Sequence, residues 1–291
     1  MKTIGLVGAG TMGAPIGESL LRAGFALRVC AHRRRDRVEK LVQAGAVEAP
    51  DPAAVAEGCD ALITMVPDSP QVEEALFGKR GAARELRPAA YAIDMSTISP
   101  VASRGFHERL AAQDVAMLDA PVSGGPARAA EGTLAIMVGG SAEAFAACEP
   151  VLRALGKPTR VGDAGMGETV KLVNQIIISS VMIADIEAMM FAKKAGADID
   201  LVRQVIGSAT GSNYILEKWL PQTWFAGTHK GGFALDLLRK DLNAALRAAE
   251  AMGVSMPLSA CAASRYDKAS RDGFGGEDYS AVAKTYEHGE L

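Results

Sequence analysis

Lys171, Asn174 and Gln175 are the residues of this sequence best suited to proton transfer. They stand at positions i, i+3 and i+4 of a predicted helix, so their side chains share one helix face. A lysine held by a neighbouring amide in an inter-domain cleft can protonate a carbonyl oxygen as hydride arrives at the carbonyl carbon, and desolvation there would lower its pKa. Because most lysines are simply solvated, this pattern alone leaves a surface lysine as the alternative.

A glycine-rich turn at residues 119–126 is suited to holding a negatively charged group. Gly124 and Gly125 let consecutive backbone N–H groups converge, and Ser123 adds a hydroxyl donor. Such a pocket would suit a carboxylate. A plain loop between two elements could have the same composition, so the turn taken alone favours neither interpretation.

The chain opens with a strand-like run that leads directly into a GxGxxG motif. The motif comprises Gly8, Ala9, Gly10, Thr11, Met12 and Gly13. Gly8 would permit a tight turn, Gly10 would let a pyrophosphate approach the backbone, and Gly13 would let the following helix lie close to the sheet. A GxGxxG motif between a strand and a helix predicts a dinucleotide-binding site, whereas a glycine turn without special use is the alternative.

The end of the second predicted strand indicates which dinucleotide is bound. An acidic residue there would bond the ribose 2′-hydroxyl of NAD. Here His32, Arg33 and Arg34 follow the strand, and no acid appears before Asp36. Because guanidinium groups match a 2′-phosphate bidentately, the sequence predicts NADP, with NAD as the second choice. A solvated basic helix start is the alternative interpretation.

Two other groups of polar residues carry weaker signals. Lys240 and Asp241 are adjacent in a predicted helix, and an exposed ion pair would explain them. The four histidines are scattered, and nothing in their spacing pairs them as metal ligands, so no metal site is predicted.

Short apolar runs alternate with helical stretches in the first half of the chain. The runs occupy residues 4–7, 27–30, 61–66, 91–94, 116–119 and 134–138. Strands separated by helices indicate an α/β fold with a Rossmann-type, doubly wound parallel sheet, covered by helices on both faces.

The pattern changes near residue 163, where a glycine-rich segment precedes a long stretch, 168–195, without glycine or proline. An apolar face is predicted along it; the face comprises Val170, Val173, Ile177, Val181, Ala184 and Ala188. Further helical stretches follow. We therefore predict a dinucleotide-binding domain at 1–163 and an all-helical substrate and oligomerisation domain at 164–291.

Composition restricts the class of protein. The 291 residues carry a net charge of −3, which gives no electrostatic basis for binding nucleic acid or an anionic membrane. The four cysteines form no CxxC pair, which is typical of a reducing cytoplasm. The most apolar run, 176–184, is too short to span a bilayer. A cytoplasmic globular protein is expected.

Taken together and in order, these motifs resemble those of the beta-hydroxyacid dehydrogenase family over nearly the whole chain. The matching segments are the glycine motif at 8–13, Met65-Val66-Pro67, Asp94-Met95-Ser96-Thr97, residues 119–125, Gly167-x-x-x-Lys171-x-x-Asn174, Phe233-x-x-x-Leu237-x-x-Lys240-Asp241-Leu242, and residues 277–281. Several motifs in one order are far more specific than any single motif.

The resemblance implies a role for each of these residues. Lys171 would be the general acid and base, oriented together with the substrate by Asn174. The substrate carboxylate would be held by Ser123, Gly124 and Gly125, and the substrate site would be completed by Gln175, Phe233 and Asp241. The nicotinamide side of the cofactor site would comprise Met65, Val66, Pro67, Thr97 and Lys240. Family members often have asparagine where Gln175 stands, and the longer amide displaces the donor and acceptor. A homodimer or homotetramer is implied as well.

The leading hypothesis is therefore an NAD(P)-dependent oxidoreductase that interconverts a short, carboxylate-bearing 3-hydroxy acid and its semialdehyde. An imine reductase is an alternative on the same architecture, although retention of Lys171 and of the Ser123 turn argues against it. A non-catalytic, dinucleotide-binding or chromatin-associated interaction module is the second alternative. Such a module would be expected to have lost the lysine and gained a basic or aromatic surface.

Overall fold

The computed structural model describes residues 1–32, 35–230 and 232–287. The chain divides into two compact units, Met1–Lys171 and Leu172–Leu291. The division falls inside one long helix that begins at Met166, so our proposed domain end at residue 163 lies just before that helix.

The strands of the first unit form one sheet. Within the described residues they are β1 (Thr3–Val7), β2 (Ala26–Cys30), β3 (Val47–Ala49), β4 (Ala61–Thr64), β5 (Tyr91–Asp94), β6 (Ala116–Asp119), β7 (Val122–Ser123), β8 (Leu134–Gly139) and β9 (Gly156–Gly162). Neighbours follow the order β3-β2-β1-β4-β5-β6-β8-β7, and β9 pairs with β8. The first six strands pair in parallel, which confirms the Rossmann-type sheet.

The later strands depart from the predicted parallel arrangement. Strand β8 is antiparallel to both β6 and β7, although it is parallel to β9. A parallel return usually needs a crossover of a dozen or more residues built around a helix. The link from β6 to β8 spends part of its length on β7, and its helix at Gly125–Glu131 is only about 10 Å long. The residues left between β7 and β8 are too few to bring the chain back to the sheet edge where β6 begins, so β8 runs antiparallel to β6.

Three short or polar strands had no sequence signal. Strand β3 has three residues and β7 has two, so neither shows a periodicity. Strand β9 begins with Gly156, contains Pro158 and is largely exposed, as expected of a strand at a sheet edge.

Helices cover both faces of the sheet and make up most of the second unit. They are α1 (Gly13–Arg22), α2 (Arg35–Gln43), α3 (Pro52–Ala56), α4 (Ser69–Phe77), α5 (Pro100–Ala111), α6 (Gly125–Glu131), α7 (Ala142–Leu155), α8 (Met166–Lys194), α9 (Ile199–Gly207), α10 (Leu235–Ala251), α11 (Pro257–Ala269) and α12 (Lys284–Glu287). One core contains Ile4 and Leu6 of β1, and a second core contains Leu62 of β4 and Ala92 of β5. Two cores on one sheet confirm the doubly wound arrangement.

Helix α8 buries a different face from the predicted one. The predicted face is largely in solvent, with Val173 48% and Ile177 55% exposed. The buried face includes Lys171, Gln175 and Ser179. The apolar periodicity therefore marks the exposed side of the helix, whereas polar residues occupy part of the buried side.

Helix α8 also has the length and composition of a membrane-spanning helix. Its most apolar window has a mean hydropathy of 1.6, and 39% of that window is buried inside the protein. The apolar run 176–184 lies inside this 29-residue helix, which agrees with the long stretch predicted at 168–195. The core helix of a globular protein has the same length and hydropathy.

Candidate active site

Two glycines of the GxGxxG motif are required by the fold itself. Gly8 has a φ of +104°, and a Cβ atom there would lie 2.3 Å from the Met65 carbonyl oxygen. A Cβ atom on Gly13 would lie 2.0 Å from the Gly8 carbonyl oxygen. A side chain at either position would collide with backbone, so these glycines let β1 turn tightly into α1.

The third glycine leaves open space. A Cβ atom on Gly10 would have no atom nearer than the Gly8 oxygen at 4.0 Å. The residue before α1, Met12, supplies no side-chain cap to the first-turn amides. Open space above an uncapped helix start fits the pyrophosphate of a dinucleotide. Within the motif Ala9 is buried and Thr11 is exposed.

The basic segment after β2 is described only in part. His32 is exposed, whereas Arg33 and Arg34 lie outside the described residues. Arg35 is engaged elsewhere, because its guanidinium pairs bidentately with Glu48 at 2.9 and 3.1 Å.

Arg37 is a candidate that sequence reasoning missed. It donates from Nη1 to Thr11 Oγ1 at 3.0 Å, which brings a guanidinium to the phosphate-binding loop. It lies in the first turn of α2, shortly after three consecutive arginines, so its position in the sequence did not distinguish it.

The loops after β4 and β5 are joined at the same sheet edge. The Val66 amide donates to Ser96 Oγ at 3.0 Å, and Asp94 Oδ1 accepts from Thr64 Oγ1 at 2.8 Å and from the Ser96 amide at 3.1 Å. Burial raises the pKa of Asp94, although the hydrogen bonds from Ser96 and Thr64 oppose this effect. The network fixes the loops that carry Met65, Val66, Pro67 and Thr97.

The predicted carboxylate turn lies between β7 and α6. Ser123 is half-buried. Gly124 and Gly125 have φ angles of +136° and +72°, which a residue with a side chain rarely adopts. The turn thus has the backbone that an anion-binding concavity needs.

Lys171 lies in the second turn of α8 and is only 6% exposed. The carboxylate of Glu168, three residues earlier and completely buried, accepts from the Ile98 amide at 3.0 Å. Because Ile98 follows Thr97, this bond ties the start of α8 to the loop after β5. Lys171 is therefore not a solvated surface lysine.

Four predicted residues of the second unit form one chain of contacts. Asn174 Nδ2 donates to Gln175 Oε1 at 2.9 Å, and Gln175 Nε2 donates to Asp241 Oδ2 at 2.7 Å. Asp241 Oδ1 in turn lies 2.8 Å from Lys240 Nζ. Since Gln175 is 1% and Asp241 2% exposed, the exposed ion pair considered for Lys240 and Asp241 is wrong.

Phe233 is half-buried and contacts Tyr279 edge-on, with ring centroids 6.1 Å apart. The backbone of Phe233 is bonded to the same residue, because its carbonyl oxygen accepts from the Tyr279 amide at 3.0 Å. The segment that precedes α10 is thereby held against the region 277–281, another motif of the family resemblance.

The possible metal ligands and the cysteines among the described residues do not meet the requirements of a metal site. No group of three or more histidine, cysteine or acidic residues there could hold a metal ion. Burial raises the pKa of Cys30 and of Cys59 to about 11 and that of Cys148 to about 12, so these thiols stay protonated.

Family comparisons cover both units. Residues 3–172 match the NAD-binding domain of 6-phosphogluconate dehydrogenase, and residues 165–286 match the NAD-binding domain of NADP-dependent 3-hydroxyisobutyrate dehydrogenase. The chain is 38% identical to L-threonate dehydrogenase of Cupriavidus necator, covering 100% of this chain and 98% of the relative. It is also 38% identical to 2-hydroxy-3-oxopropionate reductase of Escherichia coli, covering 98% and 97%.

Solved structures separate the dehydrogenase hypothesis from the imine reductase hypothesis. The 3-hydroxyisobutyrate dehydrogenase of Mycobacterium tuberculosis matches with a TM-score of 0.92 and 32% identity, covering 98% of this chain and 99% of that one. An imine reductase of Streptomyces aurantiacus, at 18% identity and a TM-score of 0.65, shares the fold alone. The full-length matches show that this chain belongs to the beta-hydroxyacid dehydrogenase family of NAD(P)-dependent oxidoreductases.

Proposed function

We propose that this protein interconverts a short 3-hydroxy acid and its semialdehyde, with NADP as the preferred cofactor. The observation that carries the proposal is the burial of Lys171 at the start of α8, on a helix tied to the cofactor-side loop through Glu168. Burial of a lysine costs free energy. Buried positions of this kind are common among the general acids and bases of active sites.

Each residue has one task in the proposed reduction. Ser123 and the amides of Gly124 and Gly125 hold the substrate carboxylate. Bound NADPH supplies the hydride that adds to the carbonyl carbon. Lys171 gives its Nζ proton to the carbonyl oxygen, which yields the hydroxyl group, and in the oxidation it removes that proton again.

The residues of the second unit assist this step. Asn174 would orient the substrate and the Lys171 side chain, and Phe233 would exclude water from the substrate. Lys240 would border the nicotinamide. Gln175 and Asp241 would hold Asn174 from behind, as their contacts suggest.

The substrate class follows from the names of the relatives. The names of the two relatives refer to L-threonate and 2-hydroxy-3-oxopropionate, acids of four and three carbons that carry two or more hydroxyl or carbonyl groups besides the carboxylate. We infer a substrate of this size. We also infer a cytoplasmic location, which agrees with four free cysteines, three of them buried.

A panel of substrates tests the proposal. The purified protein would be mixed with NADPH and 2-hydroxy-3-oxopropionate, 3-sulfolactaldehyde, methylmalonate semialdehyde or a cyclic imine, and nicotinamide absorbance would be followed. L-Threonate, L-serine and 3-hydroxyisobutyrate would be offered with NADP in the reverse direction. Turnover of a carboxylate-bearing semialdehyde supports the proposal. Turnover of the imine alone, or of none of these compounds, would refute it.

A second copy of the chain is the partner we propose for the exposed side of α8. Apolar residues repeat along it at Val173, Ile177, Ala184, Ala188 and Phe191, and Phe191 is 77% exposed. An apolar stripe of this length is costly to leave in water. Light scattering should report a homo-oligomer, and Phe191→Asp should shift it toward the monomer; a monomeric wild type would refute the proposal.

A further inference from the structure

Asp119, the last residue of β6, has a completely buried carboxylate that accepts three hydrogen bonds. Its Oδ1 accepts from the Gly165 amide at 2.8 Å and from His107 Nε2 at 3.0 Å, and its Oδ2 accepts from the Glu168 amide at 3.1 Å. Two of the three donors are backbone amides at the start of α8.

The start of α8 depends on this carboxylate because its own sequence offers no cap. The first amides of a helix lack partners within the helix and are usually bonded by a side chain just before it. Here Ala164 and Gly165 precede the helix, and neither has a side chain that can accept a hydrogen bond. Asp119 supplies the acceptor from a distant strand, and its negative charge also suits the positive end of the helix.

His107 keeps this carboxylate in place from the other side. It lies on α5, and its side chain is 12% exposed. An ionised carboxyl group in the interior is costly unless every oxygen is hydrogen-bonded. Asp94 lies beside Asp119 in register on β5, and the neighbouring Asp119 contributes to the raised pKa of Asp94. The ring N–H of His107 therefore completes the set of donors.

Two glycines let neighbouring backbone approach Asp119 closely. A Cβ atom on Gly139 would lie 2.6 Å from both Asp119 carboxylate oxygens, and one on Gly167 would lie 2.4 Å from the Asp119 carbonyl oxygen. The start of α8 is thus held directly against the end of β6. Lys171 follows Glu168 by three residues, less than one helical turn.

We propose that Asp119, held by His107, is a positioning residue that fixes the start of α8 and thereby the location of Lys171. This inference rests on the proposed role of Lys171 as general acid. It also assigns a function to His107, for which the sequence motifs predicted no role. Because the Asp119 carboxylate is bonded to His107 and to the start of α8, we expect its loss to act on the chemical step through the position of Lys171.

Asp119→Asn is the direct test, since an amide has one acceptor oxygen where two are needed. A misplaced proton donor lowers the rate of the chemical step by up to about 100-fold per ångström. We expect kcat to fall by about tenfold or more, while KM for NADPH stays within about twofold of wild type. Steady-state kinetics with both substrates varied would measure this split.

Asp60→Asn is the matched control. Asp60 also accepts from two backbone amides, those of Lys2 and Thr3, and from the cation Arg87, but at the opposite end of the sheet. It should lose stability, as measured by urea unfolding, without losing kcat. A similar fall of kcat in both variants would reduce Asp119 to a structural residue and overturn the inference.

A pair of His107 variants gives an independent readout if Asp119→Asn does not fold. His107→Gln keeps an N–H donor within reach of Asp119, whereas His107→Leu removes it. The inference requires kcat to drop in the leucine variant and to recover at least partly in the glutamine variant. Equal kcat values in both would overturn it. Lys171→Ala distinguishes failure of the proposed mechanism from failure of the positioning role. Full activity in Lys171→Ala would refute the proposed mechanism. An inactive Lys171→Ala together with a fully active Asp119→Asn would refute only the positioning role of Asp119.

Discussion

Gln175 and Asp241 are joined by a buried hydrogen bond of 2.7 Å, with the glutamine amide as donor and the aspartate carboxylate as acceptor. Many family members have an asparagine at the position of Gln175. Its side chain is one methylene shorter, so the glutamine is what allows this contact while Asn174 is bonded at the same time.

Gln175→Asn should therefore break the contact and leave a buried Asp241 oxygen without its partner. An unsatisfied buried acceptor costs about 1–3 kcal/mol. We expect that loss in urea unfolding together with a lower kcat, since Asn174 also loses its support. Gln43→Asn on the exposed side of α2 is the control and should change neither quantity. Wild-type stability in Gln175→Asn would show that the contact is dispensable.

Lys171→Ala should remove most activity and leave cofactor affinity near that of wild type. The residue lies on α8, in a different segment from the glycine motif at 8–13. Loss of a positioned proton donor typically costs 10²–10⁴-fold in rate. Kinetics and NADPH titration by fluorescence would measure both effects. A variant that keeps more than about half of the wild-type kcat would exclude the lysine from the mechanism.

Ser123→Ala should raise KM for acidic substrates more than for an ester or amide analogue of the same substrate. One hydrogen bond to a charged group is worth about 1.5–3 kcal/mol. The neutral analogue serves as the internal control, because it lacks the charge that the turn is proposed to read. Equal losses on both substrates would contradict a carboxylate site.

Replacement of Arg33 and Arg34 by alanine should bring the kcat/KM values for NADPH and NADH close together. In the wild type, a guanidinium contact to the 2′-phosphate should favour NADPH by roughly ten- to a hundredfold, and added salt should weaken the preference. Arg35→Ala is the control, because that guanidinium is occupied by Glu48. A wild type that prefers NADH would show that the basic segment is only a solvated helix start.

Asp185→Asn should stabilise the protein above pH 6. Burial raises the pKa of Asp185 from 3.8 to about 6, although the hydrogen bond from Asn213 opposes the shift. The folded state thus holds this proton more tightly than the unfolded chain, so stability declines as pH rises from about 4 to 6 and stays lower above that range. The amide avoids the buried charge and should gain roughly 1–3 kcal/mol at pH 8.

Urea unfolding at pH 4, 6 and 8 would test the Asp185 prediction. The gain should largely disappear at pH 4, because the wild-type carboxyl group is then protonated in the folded state and its buried charge is gone. Asp200→Asn, at an exposed position of α9, should show little change at any pH. An equal gain at all three pH values would mean that charge burial is not the cause.

Sequence reasoning was accurate where local backbone geometry determines the residue type. Gly8 and Gly13 could be assigned because a turn from strand to helix permits no other residue there. The parallel strands were recognisable because burial on both faces requires continuous apolar runs. Strand β8 was assigned, but its direction depends on the length of its connection, which no periodicity shows.

The sequence was least informative where polar residues are buried. Lys171, Gln175 and Ser179 occupy the inner face of α8, so a search for apolar periodicity found the outer face. The bond from His107 to Asp119 joins residues on different elements and has no local signature. Contacts of this kind depend on tertiary structure, and only the folded chain reveals them.

The three glycines of the opening loop are under separable constraints. A side chain at Gly8 or Gly13 would collide with backbone atoms of the protein, whereas a side chain at Gly10 would enter open space. A lineage that abandoned the cofactor could therefore accumulate larger residues at position 10 and still inherit an intact sheet. A related protein with a larger residue at position 10, but with glycine retained at positions 8 and 13, would therefore be expected to keep the fold and to have lost cofactor binding.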